Sequence, residues 1–251
     1  MIQSQHTDTA SSVEIWSPAD VLDTLSKVTT RVTTTILDPW YNKGVGGTRP
    51  DYTEWLSEVI HAAAAISDHV FVWGFPEIIA HQLSRMPKGY MLVAWLTWYY
   101  KNCPSVIRGW RSAQNTCLHL SAEDAEIYPE HFLNETQIDR FESGKMRFVP
   151  GPPSVIEAPL NVGFVRKSEQ TGHPAQKPMS VIEPLILMST KPHDVVLDPM
   201  CGSGTTGEVC MKLNRRAILC DASEHWLDVT ESRIANAGRR VTASDEQNGL
   251  F

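Results

Sequence analysis

No apolar run in this chain is long enough to cross a bilayer. The most apolar stretch, Tyr90 to Tyr100, is too short and stops at Lys101. Met1 to Ser12 lacks the basic head and apolar middle of a leader and is rich in Thr, Ser and Gln, so a flexible tail is expected over 1–12. A cytoplasmic protein without membrane partners is the expectation. Cysteine is sparse and odd in number: five, at 103, 117, 201, 210 and 220, with no C-x-x-C pair. That speaks against a disulfide framework and a zinc site and suits a reducing compartment; no metal is expected. Positive charge is in deficit. A net charge of −7 points away from binding nucleic acid by bulk attraction. It leaves local basic groups: Arg108 with Arg111, then Arg140, Lys145 and Arg147, then Arg166 and Lys167. Each alone reads first as solvated surface. Neither G-x-G-x-x-G nor G-K-[ST] is present, which disfavours dinucleotide binding and excludes a P-loop.

What is present is an alternation of apolar runs and helical periods. The 251 residues, 42% hydrophobic, suffice for one large α/β domain, alone or with a small insert. Strands are expected at Val13–Trp16, Val32–Leu37, His69–Trp73, Tyr90–Tyr100, Gln114–Leu120, Asp194–Leu197 and Ala217–Cys220. Helices are expected at Val21–Val28, Tyr52–Ser67 with Thr53 as N-cap, Glu77–Met86, from Pro178 onward, Thr205–Leu213, and Ser223–Ala237 with Ser223 as N-cap. The alternation up to Met86 argues for parallel βα units, and the strands at 90 and 114 for an antiparallel pair. Gly44, Gly46 and Gly47 predict a mobile loop over Asn42–Pro50. Between Ser121 and Thr171 no period holds, and an insert is expected there, with Phe132, Leu133, Ile138, Phe141, Met146 and Phe148 for local packing. After Arg240 the chain is polar, so a flexible tail is expected over 241–251.

Two runs organise this pattern. Asp38-Pro39-Trp40-Tyr41 ends one apolar stretch, and Asp198-Pro199-Met200-Cys201-Gly202-Ser203-Gly204-Thr205-Thr206 ends another. Each reads as a buried strand opening into a loop, and open α/β sheets bind ligands outside such carboxyl ends. Gly202 and Gly204 permit a tight turn and close approach of a ligand to the backbone. A helix starting at Thr205 turns its free N–H groups to the same crevice. Asp221 ends the next strand roughly 20 residues on, a placing that suits a ribose diol. Cys201 reads as a small loop residue rather than a nucleophile, and Cys210 and Cys220 as core.

The second run resembles the D-P-F-x-G-S-G-T-T motif of S-adenosylmethionine-dependent DNA amino-methyltransferases, where it wraps the methionine part of the cofactor. Gly172-His173-Pro174-Ala175-Gln176-Lys177-Pro178 resembles the H-x-x-x-K-P motif that contacts the same cofactor. Asp221 stands where the family's ribose-holding acid stands, usually Glu. Asp20 resembles the acid facing the adenine amine, although Ser17-Pro18-Ala19 departs from the usual glycine. The resemblance thus implies cofactor contacts by Asp20, His173, Lys177, Pro178, Asp198, Pro199, Cys201, Gly202, Ser203, Gly204, Thr205 and Asp221. Asp38-Pro39-Trp40-Tyr41 resembles D-P-P-Y, with Trp40 replacing the second proline, and implies the catalytic set Asp38, Pro39, Trp40 and Tyr41. An exocyclic amine is a poor nucleophile because its lone pair is delocalised into the ring. The Asp38 carboxylate and the Pro39 carbonyl would accept from its two N–H groups, localise that pair and aim it at the sulfonium methyl. An aromatic at 41 would stack on the base, and Trp40 or Tyr41 would face the sulfonium charge.

The acceptor motif precedes the cofactor motif, the order of the circularly permuted beta class. The resemblance implies a Rossmann-like, mostly parallel twisted sheet with an antiparallel strand at one edge and helices on both faces. Residues 13–120 and 172–240 would form the catalytic domain, with 121–171 as the target recognition region. So small an insert implies a short recognition sequence, relaxed specificity, or a homodimer that shares the work. The implied activity is methyl transfer to adenine N6 of a base flipped from double-stranded DNA, in the setting of restriction-modification, leaving S-adenosylhomocysteine. By resemblance, Asp at the first motif position favours adenine N6 and Ser cytosine N4. RNA adenine enzymes share the same logic, and a non-catalytic cofactor- or nucleic-acid-binding subunit is the alternative that Trp40 would support. The sharpest structural expectation is that the strands of the two runs lie side by side at the topological switch point.

Overall fold

The computed structural model describes residues 12–42, 47–102, 106, 107 and 109–248. Its elements in chain order are β1 (Val13–Ile15), α1 (Val21–Lys27), β2 (Val32–Leu37), α2 (Tyr52–Ile66), β3 (Ser67–Gly74), α3 (Pro76–Ile79) continued by a 3-10 turn (Ala80–Arg85), and β4 (Tyr90–Tyr99). A small ribbon of β5 (Val106–Ile107) and β6 (Trp110–Arg111) leads to β7 (Gln114–Ala122), a 3-10 turn (Pro129–Phe132), α4 (Glu135–Glu142) and β8 (Val155–Glu157). Then come α5 (Met179–Ser189), β9 (Val195–Asp198), α6 (Thr205–Lys212), β10 (Arg216–Leu219) and α7 (Glu224–Asn248).

Alternation along β3 shows why both faces of the sheet must be covered. Val70 and Val72 enter one core with α1 and α2, while Phe71 and Trp73 enter the other with α5 and α6. Eight strands are ordered β1-β10-β9-β2-β3-β7-β4-β8. Only β7 is reversed: it pairs antiparallel with both β3 and β4, and every other pairing is parallel. The antiparallel strand expected at one edge is instead internal: β7 lies between β3 and β4, because β4 and then β8 add on beyond it. β9 and β2 are parallel neighbours through Thr34↔Val196 and Thr35↔Leu197. From that seam the chain winds outward both ways, through α2 to β3 and through α6 to β10. The two runs therefore end adjacent strands at the switch point, as expected.

Several local expectations change. The N-cap of α2 is Asp51, not Thr53, and carries no side-chain cap bond. The expected helix over Glu77–Met86 splits into α3 and a 3-10 turn whose only buried residue is Gln82, so little packing favours a regular helix there. α7 continues through Asn248, because neither proline nor glycine follows Gly238 before Gly249. Gly44, Gly46, Cys103 and Arg108 lie outside the described residues. The stretch after β7 is divided in space. Tyr128 donates to Leu187's neighbour Met188 O at 2.8 Å, His131 Nδ1 lies 2.7 Å from Leu187 O, and Glu126 pairs with Lys191 at 2.8 Å. These contacts hold residues 126–131 at the end of α5 and the amino edge of the sheet. β8 then runs parallel to β4 and returns the chain to the carboxyl edge, where 158–178 leads to α5.

Candidate active site

The carboxyl ends of β2, β3, β9 and β10 surround a cavity of about 640 Å³. Its lining includes Asp38, Pro39, Trp40, Tyr41 and Phe75 on one side, and Asp20, His173, Lys177, Asp198, Pro199, Cys201, Gly202, Ser203, Thr205 and Asp221 on the other. Of the expected site residues, only Pro178 and Gly204 stand outside the lining. Pro178 is the N-cap of α5. Gly204 is the N-cap of α6 at φ 75°, and a Cβ on it would come within 2.8 Å of Thr230. Both shape the site from behind.

At the β2 end, Asp38 Oδ1 accepts from the Lys177 ammonium in a short ion pair and from the Tyr41 hydroxyl at 3.2 Å. Lys177 also donates to Tyr41 Oη at 2.9 Å, and its Nζ sits 4.8 Å from the Trp73 ring centre and 5.5 Å from that of Tyr41. The lysine side chain is buried, whereas the Asp38 side chain is 23% exposed and opens to the cavity. Burial, with the Asp38 charge second, pushes the Tyr41 phenol well up, so it stays neutral and donates. The Tyr41 ring packs against Phe75 at 4.6 Å. Trp40 turns toward α2: its indole lies 5.2 Å from Tyr52 and 4.9 Å from Trp55, and Nε1 donates to Gly47 O at 3.3 Å. Tyr52 donates its hydroxyl to the Trp40 carbonyl. The indole thus forms a wall, and the Pro39 carbonyl has no such partner among the described bonds.

The β9 loop is knit by its own carboxylates. Asp198 accepts from Thr206 Oγ1 at 2.5 Å and from Met200 N–H at 3.1 Å. Burial raises its pKa to about 7, against those two bonds, which lower it. Asp221 accepts from Gly202 N–H and Ser223 N–H, both at 2.9 Å. A carboxylate offers about four acceptor sites, so Asp221 keeps capacity toward the cavity. Asp20 accepts from Leu22 N–H at 2.9 Å, capping α1, and lines the same cavity. Gly202, at φ 51°, lets the loop approach His173: a Cβ there would stand 3.0 Å from Nε2. The His173 ring meets Trp226 edge-on at 4.4 Å, and burial lowers its pKa, favouring the neutral imidazole. Burial also pushes the Cys201 thiol up, which fits a packing residue rather than a thiolate. The described cysteines are all free.

Sequence reasoning missed four contributors. Phe75 and Trp226 line the cavity. Arg233 donates to Thr205 Oγ1 at 2.8 Å and to Ser203 O at 3.3 Å while paired with Glu208 at 2.6 Å. Thr230 donates to Gly202 O at 2.9 Å. Phe75 had a signal, since Gly74-Phe75-Pro76 ends a strand like the two runs; the α7 residues had none. Among the described residues, no group of three or more His, Cys, Asp or Glu is placed to hold a metal.

A model of the DNA methylase family N6_N4_Mtase matches residues 32–232. The Type II methyltransferase M.HpaI of Haemophilus parainfluenzae is 26% identical over 228 residues, which are 84% of this chain and 71% of that protein. The Type II methyltransferase M2.LlaDCHI of Lactococcus lactis subsp. cremoris is 26% identical over 190 residues; the match spans 74% of this chain and 61% of that relative. Among solved structures, the M1.HpyAVI-SAM complex superposes with a TM-score of 0.64 at 20% identity, over 88% of this chain and 98% of that one. PvuII DNA methyltransferase (cytosine-N4-specific) gives 0.66 at 16% identity, over 92% and 93%. The structural matches establish a shared fold. With the family model spanning most of the chain, and both strand-end motifs gathered on one cavity, this chain belongs to the N6_N4_Mtase family of DNA methylases.

Proposed function

We propose that this protein methylates the exocyclic N6 of adenine in DNA, with S-adenosylmethionine as donor. The observation that carries the proposal is the meeting of Asp38 and the 198–206 loop on one cavity across the β2/β9 seam. The donor set fits the cofactor. Asp221 and Asp20 keep acceptor capacity for a ribose diol and an amine, and the bare Gly202 backbone lies against His173. The cofactor, when bound, supplies an electrophilic methyl on a sulfonium. The chain's own residues prepare the nucleophile. The Asp38 carboxylate and the Pro39 carbonyl take one amine N–H each, which draws the lone pair out of the ring system. Tyr41 with Phe75 offers an aromatic floor for the base, which must leave the duplex to enter the cavity. Lys177 and Tyr41 hold one Asp38 oxygen, so the other is the one turned to the amine.

By resemblance, Asp at position 38 favours adenine; cytosine N4 is the second reading, because PvuII DNA methyltransferase, which shares the fold, is cytosine-N4-specific. The test uses labelled S-adenosylmethionine and unmethylated duplex DNA, digested to nucleosides. Label in N6-methyladenine is expected, and it should vanish with Asp38→Ala while cofactor binding persists. Label in N4-methylcytosine, or transfer only to RNA, would overturn the proposal.

A further inference from the structure

The most exposed aromatic side chain described is Phe164, at 95%. It does not stand on a loose strand of chain. Gln170 Nε2 donates to Gly163 O at 3.0 Å and to Val165 O at 2.7 Å, closing the loop on either side of the phenyl group. Arg166, itself at φ 49°, pairs with Glu169 at 3.0 Å. Buried Gln176 donates to Glu169 O at 2.6 Å and accepts from Thr171 N–H at 3.0 Å, so the loop is fastened to the segment that carries His173 and Lys177. At its base, Asn102 exchanges two hydrogen bonds with Leu160, at 3.1 and 2.8 Å, tying the loop to the end of β4. None of this framework uses the phenyl ring.

The loop also lies on the edge that carries the cavity. β8 runs parallel to β4, β3 and β2 in direction, so residues 158–171 leave the sheet on the same edge as Asp38, and Gln176, which fastens the loop, itself lines the cavity. The exposed Lys167 stands three residues from Phe164, a cation beside an aromatic in a chain of net charge −7. Residues 126–131, by contrast, are pinned at the opposite edge. A base that leaves a duplex leaves a gap between its neighbours, and an exposed apolar side chain on a braced loop can fill such a gap.

We infer that Phe164 enters the DNA helix at the place vacated by the target base and holds it open, with Lys167 on a flanking phosphate. This rests on the base-extrusion step proposed above. The site sequence is first mapped from methylated DNA. Transfer is then measured on a duplex carrying that site and on the same duplex with the target base mispaired, which lowers the energy needed for extrusion. For Phe164→Ala, kcat/KM on the paired duplex is expected to fall about tenfold or more, and to return to within about threefold of wild type on the mispaired duplex. Phe164→Trp should keep activity on both, and thermal stability should not move, because the side chain packs on nothing. An equal loss on both duplexes, or no loss on either, overturns the role of Phe164. If 2-aminopurine at the target position shows no rise in fluorescence when the wild-type enzyme binds, the extrusion step itself is overturned, and this inference with it.

Discussion

Lys177 has the strongest single claim on the chemistry. The family resemblance gives it to the cofactor, yet its ammonium rests on Asp38 and Tyr41, enclosed by Trp73. A buried cation beside a carboxylate fixes which oxygen is free and where it points. Removing it should act on transfer rather than on binding. We predict that Lys177→Met lowers kcat about 100-fold, the scale of a misplaced catalytic group, while cofactor affinity by calorimetry stays within about threefold. A variant with normal kcat and lost affinity would return Lys177 to the cofactor role. Trp40 is less of an anomaly than the motif suggests. The second proline of D-P-P-Y is replaced by an indole that α2 takes into a Tyr52/Trp55 cluster, leaving Asp38, Pro39 and Tyr41 on the cavity.

At the scale of elements, the strand-to-helix turn before α6 is the most constrained. Gly204 is left-handed and faces Thr230 on α7 at a distance no Cβ tolerates. Gly204→Ala is predicted to destabilise the protein by about 2 kcal/mol or more and to weaken cofactor binding, since the α6 N-terminus must shift. Thermal unfolding with and without cofactor would show both. The same turn was legible in the sequence, as were β2, β3, β9 and β10, because each is a short apolar run closed by an acid or a glycine. α4 was not. Its Asn134-x-x-Gln137 capping box is spelled out, but no residue of the helix is buried, so no apolar period announces it. Arg233 was silent for another reason: it serves Ser203 and Thr205 across two helices, and only the fold brings them together.

Over the whole molecule, two buried groups set opposing responses to pH. On β3 and β7, His69 Nδ1 lies 3.1 Å from His119 Nε2, and His69 Nε2 lies 2.9 Å from Glu126 O. Burial lowers the pKa of both rings and favours their neutral forms; with both neutral, His119 Nε2–H donates to His69 Nδ1 and His69 Nε2–H to the carbonyl. Burial lowers the His119 pKa to about 3. The unfolded chain takes up that proton near pH 6.5, so the histidine's stabilisation is present above that pH and is lost as pH falls toward 3. Asp198 does the reverse: with a folded pKa of about 7 against 3.8, its contribution is present at low pH and is lost as pH rises through 7. Between these limits His119→Gln should flatten the acid-side loss of stability, and Asp198→Asn should steepen it. Each change is bounded by about 1.4 kcal/mol per pH unit, and urea midpoints from pH 5 to 7 would reveal it.

Residues 171–177 bring these scales together. One short piece of chain lines the cavity through His173 and Lys177 and is bolted through Gln176 to the loop that presents Phe164. Behind the α6 turn the packing is tight: a Cβ on Gly207 would collide with Leu219 at 2.6 Å and Ile234 at 2.7 Å. Loosening Gln176 would be felt twice, in the cavity lining and in the loop that carries Phe164.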